Sequence, residues 1–200
     1  MNQKRTARHI RLGLVLALVL ALGALAGCSS SKTAPTATTS SAQKAFAVAI
    51  SSLSTTAPDG KLLVAQTAEA VTPTSTPSWE FLIGSPKTSL IYAVLVKDGK
   101  AQSSEYGDAG LSAAEWTAVP APSAWKVDSA EAHDKAVAVY PNGKTAEYFM
   151  GFVTYVPKSA TSPSAKPMTW IVSFNPTSRG TAATSTVNVD MGTGAASLAK

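Results

Sequence analysis

The chain holds one cysteine in 200 residues, and Cys28 stands directly behind an uncharged run from Leu12 to Gly27. A single thiol excludes an intramolecular disulfide framework and a thiolate metal cluster, so the protein must fold by packing alone. The run is preceded by MNQKRTARHIR, which carries Lys4, Arg5, Arg8 and Arg11 and no acid. A charged start, an apolar stretch and small residues before a break are the layout of a secretory signal peptide. Sixteen residues at ~1.5 Å each make a helix of about 24 Å, short of the ~30 Å hydrocarbon core and a poor permanent anchor. The folded part is therefore smaller than the length implies.

Lys and Arg total 17 against 12 Asp and Glu. Without residues 1–27 the balance is thirteen to twelve, so the basic character belongs to the leader. No basic nucleic-acid-binding surface is expected, and an apolar content of 45% excludes a wholly disordered chain. The tetrad Leu25-Ala26-Gly27-Cys28 resembles the lipobox of bacterial lipoproteins. That resemblance implies cleavage between Gly27 and Cys28, a diacylglyceryl group on the Cys28 sulfur, and a protein held by lipid on the outer side of the bacterial cell membrane. The chemistry agrees, because a thiolate is the strongest nucleophile available for alkylation and two acyl chains hold a protein at a bilayer where one is marginal. An uncleaved signal anchor and a secreted protein with a coincidental Cys are the alternatives.

Composition divides the remainder. Residues 28–43 are almost wholly Ser, Thr, Ala and Pro and read as a disordered tether. Gly107, Gly110, Pro120 and Pro122 interrupt a polar stretch, so 107–123 reads as a linker between two similar units, 44–106 and 124–200. The Pro157 to Pro167 run reads as a long loop inside the second unit. Each unit opens with a helical stripe. Phe46, Ala49, Ile50 and Leu53 recur at i, i+3, i+4 and i+7, and Asp59-Gly60 breaks the run. Asp128 with Glu131 reads as a capping box ahead of Ala132, Ala136, Val139 and Tyr140, stopped by Pro141-Asn142-Gly143.

Three strand-like runs follow each helix: Leu62 to Thr67, Trp79 to Ile83 and Leu90 to Val96, then Ala146 to Val156, Trp170 to Phe174 and Thr184 to Asp190. Trp79, Phe81 and Ile83 form one apolar row and Trp170, Val172 and Phe174 another, each opened by a Trp expected in the core. The expected fold is α+β: two similar units, each a short helix packed on a three- to four-stranded antiparallel sheet. Runs such as LIYAVLV are apolar on both faces and suit strands covered on both sides.

Helix, then a meander with Trp opening one strand and a V-x-V-D hairpin end, resembles the PepSY domain of peptidase propeptides and spore-germination proteins. The residues are Asp128 to Ala132, Trp170 with Val172, and Val187-Asn188-Val189-Asp190 running into Gly192-Thr193-Gly194; Trp79, Phe81, Val94, Val96 and Asp98-Gly99 repeat them. The resemblance implies binding rather than catalysis, with a peptidase restrained or held. No peptidase part is present in this sequence, so the target would be a separate protein, and Ala195 after Gly194 departs from the usual acidic ending.

Catalytic patterns are sparse. His133 lies between Glu131 and Asp134, residues that diverge on a helix, so no metal site and no cofactor are expected. No G-x-S-x-G elbow occurs, and Gly192-Thr193-Gly194 reads as a hairpin turn rather than a phosphate cradle. Asp98, Asp108 and Asp128 sit beside turn or cap residues and read as local. Trp116 and Trp125, near the linker, are the candidates for an interface or ligand contact. The expectation is a lipid-anchored, non-enzymatic binding module that restrains or positions an envelope peptidase, by edge-strand addition or in a groove between the units. The alternative is a lipoprotein that binds a small molecule or peptide.

Overall fold

The computed structural model describes residues 41–156, 166–175 and 185–199. Its strands are β1 (Lys61–Thr67), β2 (Trp79–Gly84), β3 (Leu90–Lys97), β4 (Lys100–Asp108), β5 (Tyr148–Val153), β6 (Thr169–Phe174), β7 (Ser185–Asp190) and β8 (Ala196–Leu198). The helices are α1 (Ala42–Ser52), α2 (Ala113–Ala118) and α3 (Ser129–Val139), with 3-10 turns at Pro122–Ala124 and Pro141–Thr145. The strands form one eight-stranded antiparallel sheet in the order β4-β3-β2-β1-β5-β6-β7-β8. The fold is α+β. Strands β1 to β4 step outward from the centre in one direction and β5 to β8 in the other. Strands β1 and β5 meet through Val64↔Val153, Ala65↔Phe152 and Gln66↔Gly151.

Strand alternation gives the sheet two unlike faces. Trp79, Phe81 and Ile83 of β2 and Trp170, Val172 and Phe174 of β6 all point to the face covered by α1 and α3, and each is at most 1% exposed. Both tryptophans pair with a valine, Trp79 with Val96 and Trp170 with Val189, and their rings meet edge-on at 6.0 Å. Burying a large apolar side chain contributes roughly 1.5–3 kcal/mol, so these two rows anchor the interior. The other face is covered at one end by α2, whose Trp116 lies on Leu63, Leu82 and Ile91. Gly84 allows that approach, because a Cβ there would collide with the Trp116 ring.

Several boundaries differ from the sequence reading. Ser41 caps α1 by accepting from the Lys44 amide at 3.3 Å, and Ala42 is fully buried, so the tether expected to reach residue 43 ends no later than Ser41. Its earlier residues, with the signal peptide, Gly27 and Cys28, lie outside the described residues. The 107–123 segment is no plain linker: Gly107 and Asp108 finish β4, and α2 follows with a true capping box between Ser112 and Glu115. The box expected between Asp128 and Glu131 is absent. Asp128 does cap α3, but its Oδ1 accepts from the Ser129 amide at 2.7 Å and the Gln43 amide at 3.2 Å. Glu131 instead faces Lys135 one turn on, at 3.7 Å.

Strands β4 and β8 lie outside the six strand-like runs of the sequence. The former is polar, reached by the two-residue turn Asp98-Gly99, whose φ values of 51° and 73° are the mirror-image turn that matches strand twist. The run Ala146 to Val156 shortens to β5. Thr154, just past its end, stays tied to β1, with its amide donating to the Leu63 carbonyl at 2.9 Å and its hydroxyl to the Leu62 carbonyl, at a bulge in β1. Residues 157–165 of the expected loop lie outside the described residues.

Candidate functional site

The centre of the helix-covered face is aromatic and filled. Trp125 contacts Phe152 at 4.9 Å, Trp170 at 5.9 Å and Phe46 at 6.1 Å between ring centroids. The indole N–H groups of Trp125 and Trp170 both donate to the Val127 carbonyl, at 3.0 and 2.9 Å. Beside them the first turns of α1 and α3 interlock. The Ala42 amide donates to Ser129 Oγ at 3.0 Å, and the Gln43 side chain donates to the Trp125 carbonyl at 2.8 Å. Asp128 thus serves two positive helix ends at once, satisfying amides that each helix would otherwise leave orphaned.

These contacts relocate two expected site residues. Trp116 and Trp125, read as interface or ligand contacts, are each 5% exposed and belong to the protein's own interior. Trp125 sits there because the segment after α2 rounds the end of the sheet and brings its ring between α1 and β6. Where a groove between halves was expected, β1 pairs with β5 and aromatic rings fill the space above them.

His133 lies half-buried on α3 against Tyr148, ring centroids 4.3 Å apart. Its Nε2 is buried with no hydrogen-bond partner among the described residues, and Asp134 stands 4.0 Å from Nδ1. Burial lowers its pKa from the ordinary value, against the opposing pull of Asp134. Among the described residues no three His, Cys, Asp or Glu side chains converge as a metal-binding group. Gly192-Thr193-Gly194 forms the β7–β8 turn, where the Thr193 hydroxyl and the amides of Thr193 and Gly192 donate to Asp190 and hold its carboxyl below the usual carboxylate range. Asp108 similarly accepts from the Gly110 amide at 2.8 Å.

A concavity that can receive another molecule lies on the opposite face, at the end of the sheet away from α2. It has a volume of about 370 Å3 and spans β2, β3 and β4. Ala93 and Leu95 form an apolar floor, and Glu80 stands among them only 9% exposed, with its Oε2 accepting from the Gln66 amide nitrogen at 3.0 Å. Glu69 and Lys97 face each other on the rim at 3.8 Å, both largely exposed. Gln102 and Ser104 of the edge strand β4 close the other side.

None of these lining residues was singled out from sequence. The available signal was Glu80 itself, an acid inside WEFLIG, where a buried charge is more informative than an exposed apolar group. Alternation sends Glu80 away from the Trp79 row, but only the folded sheet brings Glu69, Lys97 and Gln102 around it.

No family model, curated protein or solved structure matches the chain. Among the described residues no helix is long and apolar enough to cross a membrane.

Proposed function

We propose that this protein is an extracytoplasmic lipoprotein, held to the cell membrane through a diacylglyceryl group on Cys28, whose body is a non-catalytic module that binds an envelope protein. The body is two copies of one unit, a helix followed by a four-stranded meander, joined where β1 pairs with β5. Three features support the duplication: the mirrored strand order, the matched Trp79–Val96 and Trp170–Val189 pairs, and the interlocked starts of α1 and α3. The PepSY resemblance of those residues points to a peptidase as the protein restrained or positioned.

One observation carries the binding site: the face of the sheet opposite α1 and α3 bears an open cavity at the end that α2 leaves uncovered, whereas the face under α1 and α3 is filled by aromatic side chains. The adjoining edge strand β4 is nine residues long, enough to accept an extended segment beside the cavity. The cavity volume also lies within the range of small-molecule sites, which favours ligand binding as the second reading.

Photocrosslinking in living cells tests this directly. A photoreactive phenylalanine analogue replacing Gln102, on the cavity rim, should give one discrete protein adduct that mass spectrometry identifies as a peptidase. The same analogue replacing Ala130, exposed on α3, should give none. Equal labelling from both positions, or no protein adduct from Gln102, would overturn the reading, and a small-molecule adduct would establish the alternative.

A further inference from the structure

We propose that the cavity over β2, β3 and β4 receives one amphipathic cation, a primary ammonium or guanidinium on a short aliphatic stem, of the kind a lysine or arginine side chain presents. This rests on the reading that the partner docks on the sheet face opposite α1 and α3, and it names the group that does so.

The lining selects the chemistry. Ala93 and Leu95 offer an apolar floor for a methylene stem, while Glu80 and Glu69 supply carboxylates at two heights, one nearly buried and one on the rim. A charged head on a hydrocarbon stem satisfies both parts at once. An anionic guest would meet two carboxylates against one ammonium, that of Lys97.

Lys97 acts as a competitor. It pairs with Glu69 at 3.8 Å, with the two side chains 60% and 64% exposed. A pair so exposed is worth little, so an incoming cation can displace it and take Glu69. Lys97 should therefore weaken cation binding, the reverse of what a residue supporting the cavity would do.

The test follows amide resonances of Ala93, Leu95, Gln102 and Ser104 in the purified protein in non-ionic detergent, titrated with n-butylammonium chloride. Saturable shifts at these amides are expected, with n-butanol and butyrate producing none. Glu80→Gln should weaken butylammonium binding roughly tenfold, since it removes a charge-assisted bond yet keeps an acceptor for Gln66. Lys97→Gln should tighten it about twofold, and because Lys97 is exposed this variant leaves the fold unchanged and serves if Glu80→Gln does not fold. Equal shifts with butanol, unchanged affinity in Glu80→Gln, or weaker binding in Lys97→Gln would each overturn the proposal. Crosslinking from Gln102 reports separately on the docking face: an adduct without butylammonium binding refutes the cation alone, and binding without an adduct refutes the partner alone.

Discussion

The Val127 carbonyl accepts from two indoles, and this shared acceptor makes a quantitative prediction. Trp125→Phe removes one donor together with its hydrogen bond, at a net cost of about 0.5–1.5 kcal/mol plus lost packing, while Trp170 still satisfies the carbonyl. Trp170→Phe does the reverse. The double variant leaves the carbonyl of a residue only 5% exposed with neither indole, adding a desolvation penalty of roughly 1–3 kcal/mol that appears in neither single variant. Urea denaturation of all four proteins should therefore give a double-variant loss exceeding the sum of the singles by at least ~1 kcal/mol. Because the two rings also touch, at 5.9 Å between centroids, a control cycle on Trp125 and Phe152 measures coupling from packing alone. If the Trp125–Trp170 cycle is additive within ~0.5 kcal/mol, or no larger than the control, the shared carbonyl does not hold these rings together.

Three other outcomes follow from named contacts. His133 has a folded pKa below its ordinary 6.5, so the unfolded chain binds the proton first as pH falls; stability should decline from about pH 6.5 down to the folded value and then level. Melting temperatures from pH 7.5 to 4.5 should show this step in the native protein and lose it in His133→Phe; an identical profile in both would remove His133 as the cause. Gly84→Ala drives a methyl into the Trp116 ring and should cost about 1–3 kcal/mol in thermal denaturation, with an unchanged midpoint showing that α2 does not press on β2. Cys28→Ala should abolish labelling by a fatty-acid probe and leave an unprocessed precursor, and a variant that still takes the label would refute lipidation at that sulfur.

Local patterns proved readable where a single periodicity governed burial. The Trp79 and Trp170 rows both point inward because alternation along a strand is unaffected by the rest of the fold, and the α1 stripe buries Phe46 and Ala49 for the equivalent helical reason. Polar β4 went unread because an edge strand needs no apolar row, although Asp98-Gly99 marked the turn into it. The Asp128 cap was legible as a helix start, but not its second partner, Gln43, 85 residues earlier.

The sequence by itself determined the α+β class, the helical stripe from Phe46, the helix start at Asp128 and the inward Trp rows, because each depends on neighbours within a turn of helix or a few residues of strand. Only the tertiary structure decided that eight strands make one sheet, that Trp116 and Trp125 are interior, and that Glu80 underlies a cavity rimmed by Glu69, Lys97 and Gln102. Those facts depend on which distant segments pair and on which part of the sheet the helices leave uncovered. Pairing and coverage are set by the summed burial of the whole chain, a quantity no local window contains.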